Sequence, residues 1–356
     1  MDKQFLEELL STSSPSGNEV RLQEKVIKFA KEFADEVSYD NAINVYATIG
    51  KENKYKVMLA AHSDEIGLRV ISIEDNGYLK VTRTGGVSYP MYLGHQVIVF
   101  NGKDTINGAI VANDDLYEKK VRAEDIFVDI GASSKQEAEK YVKHGDHILF
   151  NCSLNYLLED KITSKALDDK SGVFVIFEAL KRAKQLNSKV SVTAVSTTNE
   201  ETGSKGAYYA SNKVKPDIAI VVDVTFASDF PGSATGDTGK VVLSGGPVID
   251  NGCTLNRILN KKIAEVAKAH DIAVQYELSA GHTGTDEKNI QFTNNGVPTI
   301  LVSIPLRNMH SPAEVASLKD LNDCIELIAQ FIASIDNDGI DLDPFKEWSW
   351  VRLMML

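Results

Sequence analysis

The chain has 356 residues, 43% hydrophobic and 25% charged, enough apolar material for a sizeable core in one large domain or in two. Its formal net charge of -12 argues against a nucleic-acid backbone or an anionic membrane surface as main partner, because both attract basic surfaces. Cys152, Cys253 and Cys324 show no Cys-x-x-Cys spacing, which signals neither a disulfide framework nor a zinc finger and suits a reducing compartment. The start, MDKQFLEELL, is acidic and amphipathic, unlike a secretory signal, and no run approaches the roughly 18 apolar residues of a membrane span, so the expected location is cytoplasmic.

In chain order, residues 2–12 and 18–36 read as helices, the second opening after SSPSGNE, where Ser and Asn cap and Pro and Gly punctuate. A strand pair follows around INVYATI and YKVMLAAH. Between about residues 70 and 160 the texture changes to short strands with Gly-rich turns, among them GYLKVTRTGG, QVIVF followed by the turn signal Asn101-Gly102, INGAIVAND and DHILF. Alternation of helix and strand then returns. Val173, Ile176, Phe177, Leu180 and Ala183 fall at helical spacing, KVSVTAVST and DIAIVVDVT read as buried strands, and residues 255–270 as an amphipathic helix. IAVQYEL and PTILVSIP read as strands, and 319–336 as a closing helix.

This pattern predicts an α/β fold with a mostly parallel sheet covered by helices on both faces, interrupted by a small β-rich insertion. The expected boundaries are 1–68 with 162–356 for the α/β part and 69–161 for the insertion. The tail DPFKEWSWVRLMML, with two Trp, is too short to span a bilayer and is expected to dock on the protein's own body or on a sister subunit.

Ligands in open α/β sheets collect beyond the carboxyl ends of the strands. There KVMLAAHSDE ends in His62, Asp64 and Glu65, VSVTAVSTTNEE in Glu200 and Glu201, IAIVVDVT carries Asp223, and ILVSIPLRNMH runs into His310. SKALDDKSG adds Asp168 and Asp169 just before a helix. Singly, each has an ordinary reading: a hydrogen-bonded histidine, a helix cap, a solvated loop. Together, two imidazoles and three carboxylates are what two divalent cations need if one carboxylate bridges and each cation takes one His and one further acid. Nitrogen and oxygen donors suit zinc, cobalt or manganese better than magnesium or calcium. Asp64, two residues from His62, is placed to steady the other nitrogen of its ring. Of the adjacent Glu200 and Glu201, one can bind metal while the other moves a proton.

In this order and spacing, AHSDEIG, SKALDDKSG, TTNEETG, VVDVTFASDFPG, GHTGTD and IPLRNMHSPAE resemble the M42 family of metallo-aminopeptidases, which includes glutamyl aminopeptidases and the tetrahedral (TET) aminopeptidases. The similarity runs from about residue 5 to 336. The resemblance implies that His62 and Asp223 hold one metal, Glu201 and His310 the other, and Asp168 bridges them. Glu200 is then the general base and Asp64 the orienting acid behind His62, while Asp169 shapes the turn without binding metal. It further implies removal of N-terminal residues from short peptides, an inserted dimerisation domain, and dimers assembled into hollow homo-dodecamers. The chain departs from the family pattern at Asn199 and Thr202, at Ser63 and at Lys170, none of them a ligand or the base, and its aromatic tail is not part of that pattern. His282, before TGTD, sits near where the family lines its substrate pocket.

Two other readings compete. A glycoside hydrolase would place two carboxylates about a sugar bond and ignore chelators. An inactive, metal-binding assembly module would keep the ligands and have no use for a base.

Overall fold

The computed structural model describes residues 1–101, 104–233 and 239–346. Residues 57–61, Val-Met-Leu-Ala-Ala, are apolar on both faces, as a strand sandwiched between helical layers must be. They form the strand Lys56–His62, whose alternate residues enter two cores: Val57, Leu59 and Ala61 one, Met58 and Ala60 the other. The first core is roofed by the helices Leu167–Gln185 and Leu318–Ala333, with Lys3–Ser11 and Val20–Ala30 beside them. The second lies under Lys205–Val214 and Glu287–Gln291.

Among the described residues, eight strands make the main sheet, in the order Glu36–Tyr39, Val45–Ile49, Ser191–Thr197, Lys56–His62, Ile218–Phe226, Thr299–Leu306, Val248–Asp250 and Gln275–Glu277. The four central strands run parallel to one another, so their carboxyl ends share one edge. The flanks are mixed: Val45–Ile49 pairs antiparallel with both its neighbours, and Val248–Asp250 antiparallel with Thr299–Leu306. The helix expected over 18–36 ends at Ala30, and Glu36–Tyr39 pairs instead with Val45–Ile49, setting Val37 against the main core.

Six strands between Gly67 and Phe150 close into a barrel, in the order Gly67–Ile73, Leu79–Thr84, Phe127–Asp129, Thr105–Ile110, Gln96–Phe100 and His147–Phe150. Inward Leu68, Val70, Val81, Val97, Val99 and Ile148 give it a core of its own, and closure leaves no open edge. A third, three-stranded sheet pairs Lys161–Ser164 with Asn155–Tyr156 and Glu314–Ser317. Its register sets Ser164 opposite Glu314 and so ties the approach to Asp168 to the segment after His310.

No helix among the described residues is long and apolar enough to cross a membrane. Of the expected Asn101-Gly102 turn, Gly102 lies outside the described residues, as do Trp348 and Trp350 of the aromatic tail.

Candidate metal and active site

Four central strands and one helix start deliver the charged groups, Asp223 from inside its strand Ile218–Phe226 and not from its end as expected. His62 is the last residue of its strand, in register with Thr197, and Glu200 and Glu201 follow Thr197 by three and four positions. Asp223 lies on the next parallel strand, opposite Ser303 of the strand that leads to His310. Asp168 enters the helix Leu167–Gln185 with non-helical backbone (φ -77°, ψ 109°), which points it at the sheet edge instead of along the helix axis.

Asp168 is the hub. Its Oδ1 lies 3.1 Å from His62 Nε2 and its Oδ2 3.1 Å from His310 Nε2. Glu201 Oε1 is 3.5 Å from His310 Nε2, and Glu200 Oε2 is 4.0 Å from His62 Nε2. Donor atoms of His62, Asp169 and Asp223 lie within 4.8 Å of one another, and so do those of His62, Asp168 and Glu201. The far nitrogen of each ring is tied to a backbone carbonyl: His62 Nδ1 to Asp64 O and His310 Nδ1 to Gly86 O, both at 3.0 Å. A ring that donates through Nδ1 presents, when neutral, a bare lone pair at Nε2. Two such lone pairs facing carboxylate oxygens repel unless a proton or a cation lies between, so the donor set fits divalent cations bound by nitrogen and oxygen.

Not every strand-end group joins the cluster. Glu65 turns away and pairs with Lys165 and, at 2.8 Å, with the fully buried Lys170. The Asp64 carboxylate is 3.5 Å from His62 Nδ1, farther than its own carbonyl, and instead accepts the backbone N–H groups of Glu200 (2.9 Å) and Glu201 (3.2 Å). Asp169 accepts the N–H groups of His62 (3.3 Å) and Gly172 (3.0 Å), though its carboxylate also faces Asp223 across the cluster. His282 is exposed, and its ring meets Phe292 edge-on at 6.2 Å.

The sequence profile of the M42 glutamyl aminopeptidase family matches residues 43–327. The chain belongs to that family. A putative aminopeptidase of Acetivibrio thermocellus is 38% identical over 322 residues, covering 89% of this chain and 94% of that protein. The lysyl aminopeptidase of Pyrococcus furiosus is 34% identical, covering 92% and 95%. Among solved structures, the TET1 peptidase of Pyrococcus horikoshii, which can assemble into a tetrahedron or a large octahedral shell, superposes with a TM-score of 0.84 at 29% identity, covering 94% of this chain and 99% of that one. The protein is accordingly a metal-dependent aminopeptidase, a hydrolase.

The electrostatics of this M42 site show why cations belong in it. Burial pushes the Asp168 carboxyl up, but hydrogen bonds from His310 and His62 outweigh burial and hold it well below the usual range. Hydrogen bonds to Asp168 and Glu201 push the His310 imidazole up to about 11. Burial, reinforced by neighbouring carboxylates, raises Glu200, Glu201, Asp223 and Asp169. Two imidazoles therefore cannot neutralise the acids around them, and the buried cations next door, Lys165 and Lys170, are both paired with Glu65. Divalent cations would supply the missing charge.

Three supports of the M42 site escape a reading of strand ends. Glu314 accepts the N–H of His310 (2.8 Å) through one oxygen and that of Asp168 (3.2 Å) through the other, fixing hub and ligand together. Gly85 and Gly86, on the barrel side, lie against Glu201 and His310: a Cβ at Gly86 would sit 2.6 Å from His310 Cε1, and one at Gly85 2.9 Å from Glu201 Oε2. Asp286, fully buried, accepts Thr197 Oγ1 at 2.5 Å just under the Glu200 turn. The doubled glycine of GYLKVTRTGG was the available signal for the second of these; nothing in the sequence says what it packs against.

Proposed function

We propose that this protein removes the N-terminal residue from short peptides with two divalent cations, His62 and Asp223 holding one, Glu201 and His310 the other, Asp168 bridging, and Glu200 as general base. The observation that carries this reading is Asp168, approached on its two oxygens by two imidazoles whose other nitrogens are fixed by backbone carbonyls. When bound, the cations would supply Lewis acidity to the scissile carbonyl and lower the pKa of water. Zinc is the first choice for such donors, with cobalt or manganese as alternatives.

Glu200 takes the proton from the attacking water and hands it to the leaving amine. Asp64 fixes the backbone of that turn by accepting the Glu200 and Glu201 N–H groups. The surplus of acids favours a free α-ammonium on the substrate, which limits cutting to the first residue; an N-acetylated peptide should be hydrolysed far more slowly than its free counterpart. The family resemblance implies dimers joined through the barrel, residues 69–161, that assemble into a dodecamer, and the assembly of the Pyrococcus horikoshii TET1 peptidase into closed shells supports a large homo-oligomer. Cys152, Cys253 and Cys324, none of them in a disulfide, fit a cytoplasmic location.

The test is Glu200→Gln. Turnover should fall about 10²–10⁴-fold, the range of a lost general base, with two metal ions per chain retained by elemental analysis. Chelation should abolish hydrolysis of aminoacyl chromogenic substrates and added zinc, cobalt or manganese restore it. Hydrolysis that survives chelation would remove the reading.

A further inference from the structure

We infer that Glu19, in the loop before the second helix, is a positioning residue for Glu200, clamping the backbone turn from which the general base projects. The inference rests on the role proposed above for Glu200 and deepens that site.

Glu19 carries a buried carboxylate, 1% exposed, that does not cap the helix it precedes. Its Oε1 accepts two backbone amides, Gly17 N–H at 2.7 Å and Asn199 N–H at 3.2 Å. The next two amides, Glu200 and Glu201, go to the two oxygens of Asp64 at 2.9 and 3.2 Å. Three successive N–H groups thus converge on two carboxylates, as in an anion-binding nest. Asn199 holds the left-handed conformation such a nest requires (φ 58°). Its side chain donates to Ser16 Oγ at 3.1 Å, and Ser16 Oγ meets Thr202 Oγ1 at 2.7 Å, so residues 16–19 grip the turn at both ends.

The grip is anchored to the metal edge. Ser14 donates its N–H to Glu65 Oε1 (2.9 Å) and its hydroxyl to Ser63 O (2.7 Å), and Glu65 N–H returns to Ser14 O (3.0 Å). The segment SSPSGNE therefore spans from the His62 strand end to the Glu200 turn. Burying a carboxylate beside Asp64 is unfavourable, and neither packing nor helix capping calls for one here. The Asn199 amide does. With its acceptor removed, that amide is left buried and unpaired, and the turn is free to shift.

A displacement of about 1 Å in a reacting group costs on the order of 10²-fold in rate. In the full-length, zinc-reconstituted enzyme, Glu19→Ala should therefore lower kcat about 30-fold, with KM changed less than about twofold and two metals still bound. Glu19→Gln, which keeps the acceptor and the shape, should recover most of that loss. Glu19→Asp, which keeps the charge but shortens the reach, should not. A kcat for Glu19→Ala within threefold of wild type would overturn the inference. So would equal losses in Glu19→Ala and Glu19→Gln, or a loss that tracks missing metal or unfolding by circular dichroism. Glu200→Gln assayed alongside separates the two claims: if it is inactive while Glu19→Ala is normal, only the Glu19 inference fails; if Glu200→Gln is active, the general-base reading fails as well.

Discussion

His62 and His310 reach opposite oxygens of one aspartate at the same distance, yet the two halves of the site are built from different material. His62 ends a central strand of the parallel sheet, its side chain 2% exposed, its backbone N–H held by Asp169 and the next one by Thr197 O. His310 stands beyond its strand in left-handed backbone (φ 62°), its side chain 31% exposed, fixed by Glu314 on one side and on the other by Gly86 O of the barrel, 224 residues away in sequence. One half comes with the sheet. The other exists only where the barrel, the small third sheet and the His310 loop meet, and should fail first whenever that meeting is disturbed.

The hub shared by both halves should give the largest effect. Asp168→Asn removes the negative charge between the imidazoles, and hydrolysis should fall by at least about 10³-fold, with metal content dropping below two ions per chain by elemental analysis. Retention of both ions would mean that Asp168 does not join the halves. Gly86→Ala tests the His310 half alone. Its Cβ would lie 2.6 Å from the ring, so the ring must shift, at a cost of about 10²-fold in rate. Here one ion should be lost and one kept. Equal loss of both would erase the distinction between the halves.

The same division governs how much of the site was legible in the sequence. A buried apolar run that leads to His62, Glu200 or Asp223 is readable because parallel strands deliver their carboxyl ends to one edge. Asp64 was half legible: alternation placed its side chain beside the His62 ring, but the strand stops at His62, so the carbonyl makes the closer approach and the carboxylate serves the Glu200 turn. Glu19 and Glu314 accept backbone amides, and Gly86 offers a backbone carbonyl to the His310 ring, across long separations, and backbone groups leave no mark in the sequence. In the fold, Gln275–Glu277 falls inside the expected strand IAVQYEL, whereas its inner neighbour Val248–Asp250 is too short to show a period. The helix Lys205–Val214 leaves little trace in the sequence because its buried face is Gly206, Ala207, Ala210 and Ser211, small residues that carry little hydropathy signal.

A stability experiment sharpens the comparison from the His62 side. Lys170, fully buried, donates to Glu65 (2.8 Å) and to Thr12 O (2.8 Å), tying the helix behind Asp168 to the residues after His62. Lys170→Met leaves Glu65 with Lys165 as its one cationic partner, and breaking a buried pair of this kind costs about 3–5 kcal/mol. The measured quantity is the urea midpoint of the metal-free protein. A shift no larger than that of an exposed lysine such as Lys215→Met would show that the pair does not brace this half.

The smallest effect is a pH dependence confined to the barrel that supports His310. His147 is 7% exposed on the barrel strand that pairs with Arg69 and Phe100, and burial, with the Arg69 charge nearby, pulls its imidazole down to about 4 from 6.5. Its folded pKa lies below its unfolded one, so between these values the unfolded chain binds more protons. The contribution is therefore fully present above pH 6.5 and is lost as pH falls toward 4. His147→Gln should flatten that part of the stability profile in metal-free protein, where ligand protonation cannot contribute through metal release. Because the barrel holds Gly86 against His310, acidification should also loosen the His310 half before the His62 half. The readout is the ring signals of the two histidines across the titration: His310 broadening first in wild type, and both together in His147→Gln. Simultaneous change in wild type would mean that the barrel does not govern its half of the site.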